Sequence, residues 1–256
     1  MPIDSLGGDT VLNKKVFEIG AWRNSSQQPQ IDLARDLPDV PVMPETLLLM
    51  ELSAHGRSID LHEITQIVLG DLGATIQTLR LAGHEYPVAE GRPNRIEDCI
   101  SALGVQACID AASRRTLNRA MDKLSIRKAW SHAGEIAGNC KRIAETMARN
   151  VGPDEAYLNG LLHSLGSLPA ILGWEPMYPV LKDPDLVGLR LAQAWSLPLC
   201  VVEYFRELRD LPSSGRWIGI VHGAHEELNL YSRECSSNER RSSRVSARGR
   251  LASVSS

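Results

Sequence analysis

The chain has 256 residues, of which 43% are hydrophobic, 5% aromatic and 23% charged, and its net charge is −3. That is globular composition, and the small negative charge argues against a nucleic-acid coat or a polybasic membrane-surface protein. The length suits one large domain or two small ones, able to bury about 70% of the unfolded surface without a disulfide or metal staple.

No apolar run reaches the ~18 residues of a membrane span, and Met1–Thr10 lacks the basic-then-apolar pattern of a secretory signal. The five cysteines (Cys99, Cys108, Cys140, Cys200, Cys235) are odd in number and form no Cys-x-x-Cys pair. Buried, reduced thiols and a cytoplasmic location are therefore expected.

Residues 1–32 read as an N-terminal segment that ends in the polar stretch Asn24–Gln30. Within it, Val11–Trp22 fits a short strand or a helix equally well. Pro44 suits the first turn of a helix carrying Leu47, Leu48, Leu49, Met50 and Leu52. Asp60 with Glu63 resembles a capping box ahead of the stripe Leu61, Ile64, Ile67, Val68. Gly70 stops that helix, and Asp71 caps the next, with Leu72, Ile76 and Leu79. Two helices follow over Arg95–Leu103 and Val105–Leu117, broken at Gly104. The longest is predicted over Arg127–Asn150, with Trp130, Ala133, Ala137, Cys140, Ala144 and Met147 on one face. Pro153-Asp154-Glu155 starts another that runs to about Leu165, the acids matching the positive end of its dipole. Helical periods return over Pro184–Trp195, Pro198–Leu208 and Trp217–Leu230. No segment shows strand alternation, so an all-α bundle of about nine or ten helices is predicted. Residues 231–256 hold six Arg and two Glu among serines. This tail carries +4 and leaves −7 on the rest of the chain; with so little apolar area it is expected to be disordered.

The order of these pieces resembles the HDOD domain, the HD-related output domain of bacterial signalling proteins. The resemblance spans about residues 33–230. It rests on Leu37–Pro44, Gly70–Ile76, Ile96–Gly104, Trp130-Ser131-His132 and Glu155–Gly166. HD phosphohydrolases, the catalytic relatives, use a His, an adjacent His-Asp pair and a distant Asp to hold a metal that activates water. By this resemblance His132 matches the first His and His163 the second. Ser164 stands where the paired Asp belongs, and His225 occupies the place of the distant Asp. Both carboxylates are missing, so the resemblance implies a regulatory domain with no catalytic, cofactor or metal residues. Its partners would be proteins acting in trans, of the kind formed by cyclic-di-nucleotide enzymes, receivers and kinases.

Two readings of the histidines compete. In one, His132 and His163 are packing residues and His225 faces solvent or a helix end. In the other, the three converge on a transition metal, with Glu135 as an extra ligand. Residues 61–81 also resemble a helix-turn-helix that would expose Thr75, Gln77, Thr78 and Arg80, but the segment is poor in cations and does not favour nucleic acid. Arg114, Arg115 and Arg119 lead the one basic cluster of the body and are candidate partner-binding residues.

Overall fold

The computed structural model of the chain describes residues 38–56, 59–86, 93–114, 123–146, 150–174, 183–210 and 215–229. The segments 1–32 and 231–256, with Val11–Trp22, Met147 and Cys235, lie outside these residues. The described residues form helices and contain no strand. The order is α1 (Pro44–Ala54), α2 (Leu61–Leu69), α3 (Leu72–Glu85), α4 (Ile96–Leu103), α5 (Val105–Ser113), α6 (Lys123–Thr146) and α7 (Pro153–Leu162). A 3-10 turn (Leu165–Ser167) then leads into the single turn α8 (Leu168–Ile171), followed by α9 (Pro184–Ala194), α10 (Leu199–Asp210) and α11 (216–229). No described helix is long and apolar enough to cross a membrane.

The boundaries follow local chemistry. Asp60 Oδ1 accepts from the amides of His62 and Glu63 and starts α2. The reciprocal half of a capping box is absent, because Glu63 instead accepts a hydrogen bond from Ser53 Oγ of α1. Gly104, at φ +85°, parts α4 from α5, a backbone conformation open to glycine at little cost. α5 ends at Ser113, short of the predicted Leu117, and α6 begins at Lys123, ahead of the predicted Arg127. α7 stops at Leu162, since the chain tightens into the 3-10 turn there.

α1 to α5 pack on one another, α7, α9 and α10 form a second group, and α6 lies against α7 and touches α3. The core is aliphatic, with Ile64, Leu72, Ile76, Ile100, Ile136 and Leu161 fully buried beside Trp174, Trp217 and Phe205. Cys99, Cys108, Cys140 and Cys200 are buried thiols outside any disulfide.

Asp71, which is 1% exposed, ties the first group to α6. Its carboxylate caps α3 through the Ala74 amide (3.1 Å), accepts from the Met43 amide ahead of α1 (2.8 Å) and accepts from Trp130 Nε1 of α6 (3.1 Å). Burial pushes its carboxyl above the ordinary carboxylate range, against the donors that favour the anion. The segment before α1 runs back along α3. Gln77 Nε2 donates to the Val40 carbonyl (3.0 Å), and Arg80 pairs with Asp39 (2.9 Å) while stacking on Trp195 (4.8 Å).

These contacts overturn the helix-turn-helix arrangement of residues 61–81. Thr75, Gln77 and Thr78 are 0%, 4% and 1% exposed, and the Arg80 side chain is 17% exposed. A recognition helix must present such residues to a groove. Here Gln77 and Arg80 hold the polypeptide that precedes α1, and Thr75 donates to the Val68 carbonyl of α2 (2.8 Å).

Candidate functional site

His132 lies on α6, His163 follows the last residue of α7, and His225 lies on α11. Two local features bring the first pair together. Gly160 sits where α6 and α7 cross, and a Cβ there would fall 2.7 Å from Ala137 Cα and 2.8 Å from Cys140 Sγ. The helices therefore touch nearly backbone to backbone, as the run of small residues on α6 predicts. α11 adds the third imidazole by docking on α6. Ala224 packs fully buried and its carbonyl accepts from Asn139 Nδ2 (3.3 Å), while Glu227 pairs with Arg142.

The three rings form a closed triangle. Centroid distances are 5.3 Å for His132–His163, 5.2 Å for His132–His225 and 5.0 Å for His163–His225. One nitrogen from each lies within 4.8 Å of the others, and all three residues are half-buried. His225 is thus turned into the triangle, not out to solvent.

The tautomer of His163 is fixed. Its Nδ1 is 2.7 Å from the Gly160 carbonyl oxygen, which only accepts, so Nδ1–H donates and Nε2 keeps its lone pair. Burial holds the His163 pKa down to about 4; the Gly160 bond opposes this and the charges of His225 and His132 add to it. Burial, then His132 and His222, lower that of His225. Both imidazoles are therefore neutral at neutral pH. One turn before His163, Asn159 is fully buried, with no protein partner for either amide atom.

The other sequence candidates fall elsewhere. Glu135 stays outside the triangle, exposed and bonded to Ser131 Oγ (3.3 Å). Ser164, half-buried, begins the 3-10 turn and brings no carboxylate. Arg114 is exposed at the end of α5, while Arg115 and Arg119 lie outside the described residues.

The description "HDOD domain" matches residues 40–182. The chain belongs to the HDOD family. Solved structures agree at the level of fold. The MmoQ response regulator from Methylococcus capsulatus str. Bath is 17% identical at a TM-score of 0.59, over 73% of this chain and 85% of that one. A virulence factor from Campylobacter jejuni subsp. jejuni is 16% identical at a TM-score of 0.52, over 73% and 76%. No curated protein matches.

The HDOD match reaches His132 and His163 and ends before His225, which only the folded chain carries into place. The HD metal set of two histidines and two carboxylates does not fit this triangle. No Asp or Glu joins the cluster among the described residues.

This HDOD domain also has a cleft of about 750 Å³ that no sequence motif announced. It opens between α2 and the N-terminal ends of α4, α7 and α10. Within it Asp154 pairs with Arg95 (2.6 Å) and Lys141 (3.6 Å). The cleft is lined by residues far apart in sequence, so periodicity carries no trace of it.

Proposed function

We propose that this chain is a non-catalytic regulatory protein of a bacterial signalling pathway, acting in the cytoplasm through protein–protein contacts. The observation that carries the reading is the replacement of both HD carboxylates by Ser164 and His225. Carboxylates supply the hard anionic oxygens that suit Mg or Mn and the negative charge that steadies a metal-bound hydroxide. A hydroxyl and an imidazole supply neither.

Two further observations support it. α1 carries Leu48, Leu49 and Leu52 half or more exposed on adjacent turns, an apolar patch of the kind that meets a partner. One fold neighbour is called a response regulator. Partners of the class of cyclic-di-nucleotide enzymes, receivers or kinases fit the HDOD family; the flanks 1–32 and 231–256 then serve as a linker and a basic tail.

The test is a phosphohydrolase assay of the purified chain with Mg, Mn or Fe on nucleotides and cyclic dinucleotides, alongside affinity capture from the native host. No turnover above the metal-only blank, together with co-purification of a signalling enzyme, is expected. Turnover by the natural sequence would overturn the proposal.

A further inference from the structure

We infer that His132, His163 and His225 form a binding site for a Zn2+-type transition-metal ion, held by three imidazole nitrogens with a fourth position open, which ties α11 to α6 and α7. This goes beyond the regulatory reading and does not depend on it.

Imidazoles from α6, the end of α7 and α11 each bring one nitrogen within 4.8 Å of the other two. A tetrahedral ion with Zn–N bonds of about 2.0–2.1 Å sets its nitrogens about 3.4 Å apart. The nitrogens here lie within 4.8 Å of one another, so small rotations of half-buried side chains close the set.

The Gly160–His163 bond points the same way. Metal-bound histidines characteristically donate their other N–H to a carboxylate or a backbone carbonyl, which fixes the ring and its tautomer. Nδ1–H of His163 already does this (2.7 Å), leaving Nε2 as the ligand atom.

The donor set also chooses the metal. Nitrogen ligands without a carboxylate suit Zn, Ni, Co or Cu and poorly suit Mg, Ca or Mn, which want oxygen. Replacing two acids by neutral groups has therefore changed the class of ion the place can hold. The competing account is a packed cluster of rings, which the centroid spacing of 5.0–5.3 Å also permits.

Titration calorimetry of the untagged, chelator-stripped full chain with ZnCl2 separates the two. About one equivalent of Zn2+ should bind, Co2+ should give the intense visible bands of a tetrahedral site, and Zn2+ should raise the melting temperature. His225→Ala should abolish all three. His222→Ala should abolish none, since His222 is exposed on the same helix and pairs with Glu226 (3.7 Å). His163→Gln, which can still donate to Gly160, guards against a folding defect and should lose binding with an unchanged far-UV spectrum. Absence of stoichiometric binding, or its survival in His225→Ala, would sink the site and leave the regulatory reading standing. Metal binding accompanied by hydrolysis would do the reverse.

Discussion

Two polar clusters hang on the same stretch of α6, two residues apart, and they are built on opposite rules. Asp71 is saturated: both carboxylate oxygens meet donors, from Met43, Ala74 and Trp130. The histidine triangle is open: His163 uses one nitrogen on Gly160 and keeps the other. A saturated buried group has no bonding capacity left for chemistry and acts as a joint. An unsaturated one gives little to the fold and keeps its lone pairs for something else. The contrast teaches where to look for function: in the polar cluster that the protein leaves incomplete.

The comparison breaks first at Asp71. Asp71→Ala leaves three buried donors facing the space of one carboxylate and should cost about 3–5 kcal/mol of unfolding free energy in urea titrations. Asp71→Asn, which keeps one acceptor oxygen, should cost less. A loss under about 1 kcal/mol for the alanine variant would mean the joint is not one.

The triangle should show itself through pH. The folded pKa of His163, about 4, lies below its ordinary 6.5, so the unfolded chain takes up the proton first. Its contribution is complete above pH 6.5 and is lost as pH falls toward 4, by up to about 3 kcal/mol for this group. Urea midpoints of the metal-free chain should fall over that window. The His163→Gln variant should have a flatter slope.

The smallest effect tests what holds α11. The Arg142–Glu227 pair is solvent-facing, with side chains 53% and 31% exposed. Arg142→Ala should cost less than about 1 kcal/mol, as exposed pairs do. A larger loss in the same urea titrations would shift the hold on α11 from its buried face (Trp217, Ile220, Val221 and Ala224) to its rim.

Much of this was legible in the chain itself. Pro44, Asp60, Asp71, Gly104 and Pro153 each act within one turn, so they mark helix boundaries without knowledge of the fold. The helical period on α6 identifies Trp130, Ala133, Ala137, Cys140 and Ala144 as a buried face, and all five are buried. What failed was long-range. Thr75, Gln77 and Thr78 are surface residue types by composition. Gln77 meets residues 39–43, which return along α3, and Thr75 bonds back to the Val68 carbonyl of α2; the sequence carries no periodic sign of either contact. The hydrolase-like positions of His132 and His163 could be read from motifs. The inward turn of His225 is set by where α11 docks, which depends on Asn139 and Ala224 across a long separation.

The helix crossing at Gly160 has a consequence for the histidines. With no side chain on Gly160, α7 lies directly on Ala137 and Cys140 of α6, and this close crossing sets the spacing of His132 and His163. In the proposed metal site those two imidazoles are the pre-positioned arms, with much of their ordering entropy lost during folding. The free energy of completing the triangle then reports almost entirely on the third arm. Whatever partner, ion or acid pulls at α11 is read out by a single ring, against a ruler that does not bend.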